Sequence, residues 1–160
     1  MIEYATEIEI AQPEDVVWRR LTAFDAYPEW NPYQTITGVA AAGSKIRVTT
    51  RWGAGGKTQT SSARITRFEP GKVFEYGSGW AGFSARRWFH LQPTAKGVRV
   101  RHGIAFAGFA AKWAFRDRLK IERLAPYYLA LGEALAGKTV REPPVGAGNR
   151  HSRRAARKVR

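Results

Sequence analysis

Arg87, His102 and Asp117 are the side chains of this chain whose type and spacing could do chemistry. Residues 84–92 and 97–107 alternate apolar and polar side chains with the period of half-buried strands, joined through Pro93 and Gly97. In the second run Val98, Val100, His102, Ile104 and Phe106 share one face, and Arg99 and Arg101 the other. A hairpin that pairs Leu91 with Val98 keeps both apolar sets together and brings Phe89 opposite Val100 and Arg87 opposite His102. Opposed residues lie about 5 Å apart at Cβ. An arginine there offers a fixed fork of donors to a carboxylate, phenolate or carbonyl oxygen. A histidine beside it could move a proton near neutral pH. The plainer alternatives are that Arg87 reaches to the rim and that His102 is a hydrogen-bonded core residue. Asp117 falls between Trp113 and Ile121 on an apolar stripe. It lines a cavity, pairs with a cation such as Arg87, or sits where the helix has not yet begun.

Other site chemistries find no support. His90 and His102 are expected on opposite faces, and His151 lies near the C-terminus. With zero cysteines there is no thiolate ligand, thiol nucleophile or disulfide framework. No metal site and no cofactor are therefore expected. No Ser-His-Asp arrangement can be placed, and no glycine-rich loop leads from a strand into a helix. Gly53-Ala-Gly-Gly56 reads as a hairpin tip.

These residues need elements to hold them. Residues 2–10 alternate, with Tyr4, Thr6, Ile8 and Ile10 on one side and Glu3, Glu7 and Glu9 on the other. Pro13 stands near a helix start, with Glu14 and Asp15 in the first turn, where carboxylates complement the helix dipole. Val16, Val17, Leu21 and Phe24 give that helix an apolar side, and Pro28 and Pro32 bracket a short helix or loop around Trp30. Strands then follow over 45–52, 59–68 and 72–77, the last two joined by the turn Glu69-Pro70-Gly71. From 111 to 137 the period becomes that of a helix, with Trp113, Ile121, Leu124, Tyr128, Leu131 and Leu135 on one stripe and Pro126 expected to kink it. The stop comes near Gly137. An antiparallel sheet with one apolar face needs a cover, and the final helix is the one element large enough. This predicts an α+β helix-grip fold: a curved, seven-stranded antiparallel sheet around a long C-terminal helix, with two short helices after the first strand.

Composition sets the bounds. The 160 residues suffice for one core, placed over 1–139, and 44% hydrophobic against 25% charged residues describe a globular chain. Nothing approaches the roughly 18 apolar residues of a membrane span. The alternating pattern begins at once, so no signal peptide is expected and a cytoplasmic location is the default. The net charge is +14, and residues 141–160 hold seven Lys and Arg against the single acid Glu142. That local +6 leaves +8 for residues 1–140, so the body itself is basic and favours acidic partners. Residues 140–160 read as a flexible basic tail. The tail could touch RNA, DNA or anionic lipid, or be a solvated terminus, since no aromatic lies among its cations.

Several stretches resemble the START/Bet v 1-like (SRPBCC) superfamily, and within it the polyketide cyclase/dehydrase-like branch. They are Pro13-Glu-Asp-Val-Val-Trp18, Tyr27-Pro-Glu-Trp-Asn-Pro32, Gly38, Gly43, and Arg87-Trp-Phe-His-Leu-Gln-Pro93. The likeness covers most of residues 3–137. It implies a hollow fold that takes a hydrophobic molecule such as a lipid, polyketide or quinone, and it implies Trp52, Tyr76, Phe89, Phe106, Leu124 and Tyr128 as cavity lining beside Arg87, His102 and Asp117. An aromatic stripe is otherwise as readily packed core. Where several relatives carry Met-Asn late in the last helix, this chain has Leu131-Gly132, so any role of that Asn does not transfer. Trp18 and Trp30 are read as supports for the early helices.

Three functions fit. The first is reversible uptake of a hydrophobic or amphipathic molecule, gated by loops near Gly53–Gly56 or Gly77–Gly82. The second is a cyclase/dehydrase enzyme using His102, with Arg87 or Asp117, for acid–base work. The third is a polyanion- or ribosome-associated protein acting through its basic surface. Oligomeric state cannot be read from the chain.

Overall fold

The computed structural model describes residues 1–52, 57–115 and 124–138 and, of Trp52 and Lys57, the backbone alone. Glu3, Glu7 and Glu9 point outward from β1 (Ile2–Ile10) and Ile10 is buried, so the alternation predicted for this segment decides its two faces. After β1 come α1 (Glu14–Thr22), a 3-10 turn (Phe24–Ala26), α2 (Tyr27–Trp30) and β2 (Gln34–Gly38). The strands β3 (Lys45–Trp52), β4 (Lys57–Glu69), β5 (Val73–Trp80), β6 (Phe83–Thr94) and β7 (Gly97–Ala107) follow. Among the described residues, two helices, α3 (Phe109–Ala114) and α4 (Ala125–Leu135), complete the order. The strands form one seven-stranded sheet in the order β1-β7-β6-β5-β4-β3-β2, with every pairing antiparallel. Thus β1 and β2, neighbours in sequence, occupy opposite edges, and α1 and α2 carry the chain from one to the other.

The inner face can be followed row by row through the registers. Tyr4, Ile104, Arg87, Tyr76 and Ile65 form one row across five strands. The adjacent row is Thr6, His102, Phe89, Phe74 and Phe68. Between these rows the ladder of β4 and β5 shifts by one residue at Thr66, between the Ile65 and Arg67 pairings. This bulge lets Ile65 and Phe68, three residues apart, both turn inward, and such an extra residue bends the strand that carries it. The second row is packed solid. Phe74 is fully buried between Phe24, Phe68, Tyr76 and Phe89, with ring centroids 5.3–6.2 Å apart. The last helix packs on β1, β7 and α1. Arg20 of α1 donates to the Leu135 carbonyl, satisfying an acceptor that the end of α4 leaves open.

Two expectations are corrected. The last hairpin pairs Leu91 with Val100, Phe89 with His102 and Arg87 with Ile104, two residues from the expected register. A shift of two leaves every side chain on its own face, so the apolar pattern cannot distinguish the two pairings. The turn decides: Thr94 pairs with Gly97 across Ala95-Lys96, a two-residue loop, and Pro93 and Gly97 belong to strands rather than to the connection. The second correction concerns the helical segment. The helix begun at Phe109 stops at Ala114, and another starts at Ala125 with Pro126 in its first turn. A first-turn N–H has no acceptor within its helix, so Pro126 opens α4 and kinks nothing. Trp113, expected on the buried stripe, is 80% exposed. Ile121 and Asp117 lie outside the described residues, as do the Gly53–Gly56 tip and the tail from 139 onward.

Candidate ligand-binding site

Between the inner face of the sheet and the C-terminal helical segment lies a cavity of about 370 Å³. Its walls come from the row of Tyr76, Arg87 and Ile104 and from the next row toward the β5–β6 tip, with Ala85, Phe106 and Phe83. Thr50, Gln59 and Ser61 of β3 and β4 face it from the far side, and Phe115 and Leu124 close it. The lining is mixed: apolar side chains with the polar Gln59, Ser61 and Ser78, and two points at which polar groups are held by hydrogen bonds.

Arg87 is the first point. Its guanidinium Nη1 donates to the Tyr127 hydroxyl at 3.2 Å, and its Cζ stands 5.6 Å and 5.8 Å from the ring centres of Tyr127 and Tyr128. Burial works against the Arg87 charge, but the surrounding oxygens of Tyr128, Tyr127 and Tyr76 hold it, and the group stays protonated well above the ordinary arginine range. Burial pushes the Tyr127 phenol up to about 12 even though Arg87 pulls it down, so Tyr127 is a neutral phenol at physiological pH. The result is a cation held by aromatic faces and a phenol, one bond from the last helix.

The second point begins at the Trp30-Asn31-Pro32 motif. The buried Asn31 Oδ1 accepts from the backbone N–H groups of Tyr33 and Gln34, both at 2.9 Å. This Asx turn sends the chain from α2 into β2 and points Gln34 inward. Gln34 Nε2 donates to Thr50 Oγ1 at 3.2 Å, and the Tyr76 hydroxyl lies 3.5 Å from Gln34 Oε1. Tyr76 and Thr50 both line the cavity. Trp30 and Trp18 stand apart from it, packed on Tyr27 at 4.9 Å and on Phe68 at 5.2 Å.

Of the residues singled out in the sequence, Tyr76, Arg87, Phe106 and Leu124 line the cavity. Phe89, His102 and Tyr128 lie in the packed layer beside it. His102 is fully buried, stacked on Phe89 at 5.5 Å with an 8° angle between rings, and tilted against Tyr128 at 5.9 Å. Neither of its ring nitrogens has a hydrogen-bond partner among the described residues, and burial lowers its pKa to about 4. A neutral imidazole with no group to exchange protons with is poorly placed for acid–base work. Arg87 and His102 are diagonal neighbours, not opposed. The backbone of Trp52 ends β3, paired with Lys57, and its side chain and Asp117 lie outside what is described.

Sequence reasoning missed Gln34, Thr50, Phe83, Phe115 and Tyr127. Tyr127 escaped because α4 is buried nearly all round, at Tyr127, Tyr128, Ala130, Leu131, Gly132, Ala134 and Leu135, so no single stripe marks its inner side.

A curved antiparallel sheet closed over a hollow by a C-terminal helix is the helix-grip architecture of Bet v 1-like proteins. The chain belongs to the polyketide cyclase / dehydrase and lipid transport family, whose model matches residues 1–136. No curated protein matches it by sequence. Among solved structures it is similar to Ara h 8.0201, at 14% identity and TM-score 0.62, over 85% of this chain and 95% of that one. It also resembles the di-domain ARO/CYC BexL from the BE-7585A biosynthetic pathway, at 15% identity and TM-score 0.68, over 86% of this chain and 46% of that one. MLL2253 from Mesorhizobium loti matches at 18% identity and TM-score 0.64, over 85% of this chain and 95% of that one. At such identities the likeness establishes the fold alone. No described helix is long and apolar enough to cross a membrane.

Proposed function

We propose that this protein binds an amphipathic small molecule in the cavity, its apolar body against Ile104, Phe106, Phe83 and Leu124 and its oxygen on Arg87. The observation that carries this reading is the half-buried Arg87 set in the cavity wall beside Ile104 and Phe106 and held in place by Tyr127. Ligand cavities of this size commonly combine an apolar lining with a few fixed polar groups that orient the guest. A carboxylate, phenolate or polarised carbonyl suits a guanidinium fork, and the Gln34–Thr50–Tyr76 chain offers a second polar contact across the hollow. Binding is favoured over acid–base catalysis because His102, the one histidine on the inner face, faces Phe89 and Tyr128 rather than the cavity.

The test is mass spectrometry of an organic extract from natively purified protein, beside extracts of Arg87→Leu and of the cavity-filling variant Ile104→Trp. A stoichiometric oxygen-bearing apolar compound, lost from both folded variants, is the expected result. A compound retained by Ile104→Trp would place binding elsewhere, and one retained by Arg87→Leu alone would remove the anchor from the proposal.

A further inference from the structure

The large aromatic side chains that the described residues leave exposed gather at one place. Trp80 is 64% exposed, Phe109 72% and Trp113 80%. Trp80 ends β5, and its ring meets Phe109 edge-on at 6.4 Å. Trp113 follows Phe109 by four residues on α3, hence on the same helix face. The local backbone is built to seat them. Gly82 has φ 102°, a conformation that favours glycine, and the Phe109 ring fills the space a Cβ there would take. The amide of Ala110 donates to the Gly82 carbonyl at 3.0 Å, fastening α3 to the hairpin.

This cluster runs into the cavity wall. Trp80 stacks on Phe83 at 6.5 Å, and Phe83 lines the cavity together with Phe115 at the other end of α3. The chain as a whole carries a net charge of +14. Lys112 is exposed on α3 between Phe109 and Trp113. Exposed aromatics flanking an exposed lysine, on a chain of net positive charge, fit a surface that is apolar below and anionic above. Tryptophan rings favour the headgroup boundary of a bilayer, and neighbouring cations favour anionic headgroups.

We propose that Trp80, Phe109 and Trp113 dock the cavity's β5–β6 end on an anionic lipid surface. The guest then passes between bilayer and cavity without crossing water. This purpose rests on the cavity reading above; the docking itself does not.

The experiment uses the full chain with vesicles of phosphatidylcholine, with and without phosphatidylglycerol, some carrying brominated acyl chains. Wild type is expected to sediment with the mixed vesicles, with part of its tryptophan emission quenched by the bromines. Trp80→Ser/Phe109→Ser/Trp113→Ser should lose at least about tenfold in vesicle affinity, because each aromatic withdrawn from the boundary removes apolar burial. Trp113→Ser alone, at an exposed position that leaves the fold intact, should weaken binding and quenching by a smaller factor. Three results would overturn the proposal: unquenched wild-type emission, a triple variant that sediments like wild type, or a wild-type dimer that the triple variant converts to monomer without any vesicle binding. The second would assign binding to other cations of the chain, the third would make the patch a contact between copies. Loss of vesicle binding with the extracted compound retained separates failure of docking from failure of the cavity.

Discussion

Arg87 on β6 and Tyr127 on α4 are joined by a 3.2 Å hydrogen bond that ties the middle of the sheet to the last helix. Tyr127 is buried and Arg87 half-buried, so the bond is stronger than a fully exposed equivalent and its loss more damaging. Tyr127→Phe keeps the ring, its packing on Tyr33 at 5.5 Å and its face toward Arg87, and removes the hydroxyl that accepts from Arg87. It should lower unfolding stability by about 1–3 kcal/mol, read from urea midpoints at constant slope. A change below a few tenths would mean that Arg87 re-forms its bonds elsewhere.

His102 predicts a pH dependence with a definite sign. In the unfolded chain its imidazole titrates near 6.5, and in the fold burial holds it at about 4. As pH falls through this interval the unfolded state takes up the proton first, so stability is full above pH 6.5 and drains away toward pH 4. The difference of about 2.5 in pKa corresponds to about 3 kcal/mol once the pH is below both values. Urea midpoints of wild type and His102→Leu at pH 7 and pH 5 measure it. The variant should flatten this part of the slope; an equal slope in both would place the titration elsewhere.

Gly132 explains how a histidine fits beneath the last helix. A Cβ at Gly132 would stand 3.0 Å from His102 Nε2 and 3.5 Å from Ile8 Cγ2, closer to the imidazole than side chains ordinarily approach. In an exposed helix Gly→Ala is worth about 1 kcal/mol of stabilisation. Here the clash opposes it, and Gly132→Ala is expected to destabilise. In a His102→Ala background the clash disappears and the same substitution should become stabilising. A double-mutant cycle by chemical denaturation reads the reversal directly, and its absence would show that α4 shifts to make room.

Much of this architecture can be read from the chain, and the parts that cannot have physical causes. Strand faces followed from alternation: Val98, Val100, His102, Ile104 and Phe106 all lie inward, and Glu3, Glu7 and Glu9 outward. Hairpin register did not, because moving Leu91 from Val98 to Val100 changes no face, and choosing between them required the geometry of a two-residue turn. The cavity polarity turned on that choice. It set Arg87 in the hollow row and His102 in the solid one. The bulge at Thr66 hides in the spacing of Ile65 and Phe68, which breaks the period of two without glycine or proline to announce it. The boundaries of the last helices were missed for a further reason: Trp113 carries the residue type of a buried stripe and points to solvent.

Asn31 is the clearest case of a motif whose role becomes visible only in three dimensions. Its Oδ1 accepts two backbone N–H groups, those of Tyr33 and Gln34, at 2.9 Å each, in a site with 3% exposure. Removing the acceptor orphans two donors in a place water does not reach, and each such loss costs about 1 kcal/mol or more. Asn31→Ala should therefore lower stability by about 2 kcal/mol or more, while Asn31→Asp, which keeps the acceptor oxygen, should retain most of it. The effect extends to the cavity, because the turn aims Gln34 at Thr50 and Tyr76. At a temperature where Asn31→Ala remains folded, its extract should hold less of the bound compound than that of Asn31→Asp. Equal retention in the two variants would mean that the β3–β5 wall keeps Gln34 in place without the turn, and that the motif serves the fold alone.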